Sequence, residues 1–144
     1  MRAVLDTNVL VSAVLSPSGP PAAAWRAWRD DRFQLLTSDP LLDELRLVLA
    51  RPRVASRLGW SADDRRLFVA LLEENATLVT AEQTLHVITA DPADDRVLEA
   101  AVAGAADYIV SGDRHLLELG TYEDIPVIAP ARFVAVLALD RDRA

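Results

Sequence analysis

The sequence predicts an α/β fold: a three-layer α/β/α sandwich around a mostly parallel sheet of about five strands. Short apolar runs of three or four residues alternate with helical apolar patterns along the chain. Helix-opening signals of the form Ser-Asp-Pro or Asp-Pro follow some of those runs. No linker, internal repeat or low-complexity stretch breaks the alternation, so a single domain over residues 1–139 is expected, with a charged tail at 140–144.

Ala3-Val4-Leu5 reads as a buried strand that ends at Asp6-Thr7-Asn8. Val9 to Leu15 is apolar enough for a buried helix, and Ser16-Pro17-Ser18-Gly19-Pro20-Pro21 stops it. Ala22 to Arg29 suits a short helix carrying Trp25 and Trp28, and Phe33-Gln34-Leu35-Leu36 is a second strand. Ser38-Asp39-Pro40 opens a helix that runs to about Ala50. Pro52 restarts the chain, and Ser61 with Asp64 three residues later predicts a capping box for a helix through Glu74.

Ala76 to Val79 is a third strand, and Leu85 to Ile88 is a further strand candidate. Asp91-Pro92 opens a helix to about Ala103, before Gly104. Tyr108-Ile109-Val110 is a strand, Asp113 to Leu119 a short helix, and Pro126-Val127-Ile128 the last strand. Pro130 starts a closing helix to about Leu139, and the charged tail after it is expected to fray. Right-handed crossovers place helices on both faces of such a sheet. The working crevice then lies beyond the carboxyl ends of the strands, so the residues just after each strand matter most.

Composition removes several chemistries. All 15 basic residues among the 144 are Arg, and there is no Lys or Cys. A phosphate-loop lysine, a Schiff base, a thiol nucleophile, a disulfide framework and a zinc ribbon are therefore excluded. No run of 18 apolar residues exists, so no membrane span is expected, and the apolar start before Asp6 is too short for a signal-peptide core. A cytoplasmic protein is the resulting expectation. The net charge of -7 argues against a nonspecific nucleic-acid binder, but not against an enzyme that meets phosphate through cations. What stands in surplus is the carboxylate, with 22 Asp and Glu.

Asp6 and Asp113 each follow a strand and precede a helix, so each reads either as an N-cap or as a site residue. Glu44 lies between Leu41 and Val48 at helical spacing and borders a buried stripe, where an ionised carboxyl needs a partner. Its stem could also pack while its head reaches water. Asp91 is the N-cap candidate of its helix, Asp94 can close a capping box with it, and Asp95 has no capping task left. Asp6, Glu44, Asp95 and Asp113 can then converge on one mouth of the sheet. Clustered carboxylates repel unless protons or a cation join them. Oxygen-only ligation suits Mg²⁺ or Mn²⁺, and such ions activate water and steady a leaving oxygen, which makes a phosphodiester the natural substrate.

These residues, in this order, resemble the PIN domain, a family of metal-dependent ribonucleases that includes the toxins of many prokaryotic toxin-antitoxin pairs. The resemblance rests on the opening strand into Asp6-Thr7-Asn8-Val9-Leu10, on Glu44, on Asp95-Arg96-Val97-Leu98-Glu99-Ala100-Ala101, and on the strand into Ser111-Gly112-Asp113. It implies a five-stranded parallel sheet and a Mg²⁺/Mn²⁺ site in which Asp6, Glu44 and Asp95 bind metal and Asp113 is a more variable fourth acid. It further implies Asn8 and Ser111 as polar groups that orient Asp6 or metal waters. Thr89 to Asp95 looks like a toxin-component branch of the family, and Asp94 is the alternative to Asp95 as the acid that faces the metal. A homodimer and a cognate antitoxin are implied as partners.

The reaction so implied is hydrolysis of single-stranded RNA, with Arg114 and Arg96, or Arg51 and Arg53, as candidate phosphate contacts. Solvated surface or internal ion pairs are the competing reading for each Arg. His86 and His115 read as structural or exposed, and Trp25, Trp28 and Trp60 as core or dimer contacts. The other class of function is a catalytically silent interaction module. An aspartyl phospho-acceptor domain fails for want of Lys, and no G-x-G-x-x-G supports a dinucleotide binder.

Overall fold

The computed structural model of the protein describes residues 1–87 and 92–142. Its elements are β1 (Arg2–Leu5), α1 (Thr7–Leu15), α2 (Pro20–Arg29), β2 (Gln34–Thr37), α3 (Asp39–Ala50), α4 (Pro52–Leu58) and α5 (Ala62–Asn75). They continue with β3 (Thr77–Leu78), α6 (Pro92–Ala103), β4 (Tyr108–Val110), α7 (Arg114–Leu119), β5 (Thr121–Tyr122), β6 (Ile125–Ile128) and α8 (Pro130–Asp142). The strands form one sheet in the order β3-β2-β1-β4-β6-β5. Every pairing is parallel except that of β5 with β6.

Strand alternation divides the core into two layers. Ala3, Leu5 and Leu35 face one cluster, built with Val9, Trp28, Leu45, Val69 and Phe133 from α1, α2, α3, α5 and α8. Val4 and Leu36 face the other, built with Val97, Leu98, Ala101 and Leu116 from α6 and α7. Both faces of the central strands are covered, which is why those strands read as continuous apolar runs. Packing is close where α6 ends against the sheet. A Cβ on Gly104 would lie 2.6 Å from Leu36 Cδ1, so a larger residue here would force the buried Leu36 side chain to shift.

The α/β/α sandwich is as expected, with six strands among the described residues instead of about five. The addition is β5, a two-residue strand paired with β6 through the turn Glu123-Asp124. Both turn residues have left-handed φ values, 47° and 65°, in a loop normally signalled by Asn-Gly. An acidic pair hid that hairpin. The sequence reading also gave residues 52–58 no element. They form α4, opened by Pro52 and ended by Gly59 at φ 66°, but bury no residue, so they show no apolar stripe.

Leu85–Val87 form no strand, and Ile88 lies outside the described residues, as does Asp91, the expected cap of α6. The helix α8 runs to Asp142 and not to about Leu139, so the charged segment extends the helix instead of beginning a tail there; residues 143–144 lie outside the described residues. The capping box at Ser61 and Asp64 is present in full, and Ser38 caps α3 through Leu41 N–H. Among the described residues no helix is long and apolar enough to cross a membrane.

Candidate active site

β1 and β4 lie side by side at the centre of the sheet, with Leu5 opposite Val110, so the residues that follow them emerge together. The Asp6 backbone N–H donates to Val110 O at 2.9 Å, and the chain then turns into α1. Asp6 occupies the N-cap position of α1, yet its side chain makes no cap hydrogen bond. Its Oδ2 instead accepts from the Ser111 hydroxyl at 2.8 Å, with Asp6 only 3% exposed. Of the two readings of this residue, the capping one is thereby removed.

Ser111 is fully buried, and its Oγ also accepts the Asp113 backbone N–H at 2.9 Å. A chain of hydrogen bonds therefore runs from the Asp113 amide through Ser111 to the Asp6 carboxylate. Asp113 does cap its helix: Oδ1 accepts from the backbone N–H of His115 at 2.8 Å and of Leu116 at 3.3 Å. Glu44 sits half-buried beside the stripe of Leu41, Leu45 and Val48 on α3. Its Oε2 accepts from the Thr7 hydroxyl at 2.8 Å.

Burial pushes the Asp6 carboxyl up from its usual value of 3.8 to about 6, and the negative charges of Glu44 and Asp113 add to the push. The hydrogen bonds from Ser111 and from the Thr7 backbone pull the other way without cancelling it. Among the described residues no Arg or His forms an ion pair with any of these three carboxylates. Glu44 and Asp113 thus act on Asp6 with no paired cation among the described residues.

A second acidic group lies at the start of α6. Asp94, Asp95 and Glu99 are all buried. Asp95 Oδ1 accepts the Val87 backbone N–H at 3.0 Å, and Glu99 Oε2 accepts that of Leu85 at 3.2 Å. Arg96 pairs with Glu99 at 3.0 Å and donates to Leu85 O at 3.2 Å. The charges of Glu44 and Asp113 act on Asp6.

The donor set of Asp6, Glu44 and Asp113 is oxygen-only and mutually repulsive, which fits a hard divalent cation. Among the described residues, no three His, Cys, Asp or Glu side chains form a group that could hold a metal ion as they stand. A cation would therefore have to draw these carboxylates together.

Asn8 is exposed and lines a cavity of about 370 Å³ with Val9, Ser12, Gly112, Asp113 and Arg114. Arg114 is exposed, with Glu118 3.6 Å away in an open surface pair. Arg51, Arg53 and His86 are exposed, and His115 is half-buried. The tryptophans belong to packing: Trp25 stacks on Phe68 at 5.0 Å and meets Trp28 edge-on, while Trp60 tilts against Phe68. The residue that sequence reasoning passed over is Thr7. Its signal was a hydroxyl set between a buried Asp and an apolar helix, where it would need a hydrogen-bond partner.

This fold, with carboxylates gathered past the carboxyl ends of its central strands, defines a doubly wound α/β domain with an acidic site at the mouth of its sheet. A PIN domain family model matches residues 2–115, and the chain belongs to the PIN domain family. The matched region includes Asp6, Glu44, Asp95 and Asp113. PIN domains are generally nucleases and typically use divalent metal ions. The chain is also 24% identical over 119 residues to an uncharacterised protein of Methanocaldococcus jannaschii, a match spanning 83% of this chain and 75% of that protein.

Proposed function

We propose that this PIN domain is a Mg²⁺- or Mn²⁺-dependent endoribonuclease that hydrolyses phosphodiester bonds of single-stranded RNA, and that it is the toxin of a toxin-antitoxin pair. The observation that carries the reading is Asp6. It holds a capping position and does not cap; it is buried beside two further carboxylates and pushed up to about 6. A buried carboxyl set beside two further acids is costly to stability and has a use when a cation arrives.

In this reading Asp6, Glu44, Asp95 and Asp113 hold the cation, which supplies an activated water and charge stabilisation at phosphorus. Ser111 fixes the rotamer of Asp6, and Asn8 stands at the rim to orient water or Asp6. Asp95 joins once its carboxylate turns from the Val87 amide, with Asp94, equally buried in the same turn, as the substitute ligand. Arg114 reaches the flanking phosphate from an open position. Arg96, tied to Glu99 and Leu85, would have to exchange those partners to do the same. The domain over residues 1–139 works in the cytoplasm as a homodimer, silenced by an antitoxin on the surface that exposes Leu47 and Leu67.

Purified protein with Mn²⁺ is expected to cleave unstructured RNA, and Asp6→Asn to abolish the cleavage; equal activity in the variant overturns the site. The second reading is a catalytically silent interaction module. A melting temperature that does not rise with Mn²⁺ would support that module.

A further inference from the structure

We propose that Thr7 is the positioning residue of Glu44, holding the carboxylate of α3 in the site from the first residue of α1. The inference rests on the metal-dependent reading above. Thr7 is 2% exposed, and its hydroxyl donates to Glu44 Oε2 at 2.8 Å. A hydroxyl has a single proton to give, so this donor is committed to Glu44. A valine would fill the same volume without a polar group to satisfy, and the hydroxyl is therefore not a packing requirement.

What the hydroxyl opposes is visible in the charges. Asp6 and Glu44 repel each other, and Glu44 is half-buried on a side chain with three rotatable torsions. Without a donor, repulsion would turn Glu44 outward to water. The O–H···O⁻ bond is charge-assisted and holds one carboxylate oxygen inward, leaving the other for a cation. Ser111 likewise donates to Asp6, at the same 2.8 Å. Two consecutive residues thus divide the work: Asp6 is a ligand, and Thr7 holds the ligand contributed by another helix.

The test uses wild type, Thr7→Val and Thr7→Ser, each measured for Mn²⁺ affinity by calorimetry, for melting temperature in chelator, and for kcat and KM on RNA. Thr7→Val is expected to bind Mn²⁺ about 10–100-fold more weakly and to lose kcat by a similar factor, with KM for RNA unchanged. Thr7→Ser, which keeps the donor, is expected to stay near wild type. In an Glu44→Gln background, Thr7→Val is expected to cause no further loss of Mn²⁺ affinity.

Wild-type Mn²⁺ affinity and kcat in Thr7→Val overturn the proposal whatever the melting temperature does, because they leave Thr7 a structural tie between α1 and α3. Equal damage in Thr7→Ser also overturns it, since the methyl group would then carry the effect. Should Thr7→Val fail to fold, Thr7→Ala carries the same expectations. Wild-type protein without saturable Mn²⁺ binding overturns the nuclease reading and this inference together. Binding in wild type that Thr7→Val leaves intact overturns this inference alone.

Discussion

The acids Asp6, Glu44 and Asp113, of which only Asp6 is buried, and the buried acids at the start of α6 are compensated differently. Asp6 and Glu44 are held by side-chain hydroxyls, and Asp113 by the amides of its own helix. Asp95 and Glu99 are held by backbone amides of residues 85–87, and Glu99 also by Arg96. The first group keeps its mutual repulsion, expressed in the raised Asp6 carboxyl. The second has a resident cation. Hydrogen bonds from neutral hydroxyls fix where a carboxylate sits without neutralising it, which is what a cation site requires. An Arg pair neutralises the charge and makes a structural tie.

The sharpest way to break this comparison is at Asp6. Asp6→Asn is expected to lower RNA cleavage in Mn²⁺ on the order of 10³-fold or more, measured as single-turnover rates. The next largest effect is on stability against pH. An acid whose folded pKa is raised binds its proton more tightly in the native state, so native stability is present below the unfolded pKa and is lost as pH rises. For Asp6 the window runs from 3.8 to about 6, and the loss in chelator is about 3 kcal/mol. Denaturation of wild type and Asp6→Asn across that window should show the loss in wild type and a flatter profile in the variant.

On the other side of the comparison, Arg96→Ala leaves Glu99 buried without its cation, and chemical denaturation should show a loss of about 1–2 kcal/mol. The smallest effect belongs to Arg114, whose pair with Glu118 is 80% and 66% exposed. Arg114→Ala is expected to raise KM for RNA a few-fold while changing stability by less than about 0.5 kcal/mol.

The layer order and most element positions were legible because each rests on local chemistry: period-2 strands, Ser caps, proline at a first turn. The elements missed had no such signal. α4 buries nothing, and the β5–β6 turn uses Glu123-Asp124 where glycine is usual. For the site, the sequence order of the acids marked the residues, but spacing along a chain does not say which donor holds which carboxylate. Asp6 and Asp113 looked alike as residues between a strand and a helix. Only the fold distinguishes them, because Ser111, just past the neighbouring strand, takes Asp6 away from capping while Asp113 keeps its own helix end. Thr7 showed only that it needed a hydrogen-bond partner; the partner itself, 37 residues distant, had no local signal.

The most direct test of the central claim is anomalous diffraction from crystals soaked in Mn²⁺. A manganese peak ligated by Asp6, Glu44 and Asp113, with Asp95 turned from the Val87 amide to join them, is the predicted result. A Mn²⁺-soaked crystal with no peak among these carboxylates, or with the ion held elsewhere, would contradict it.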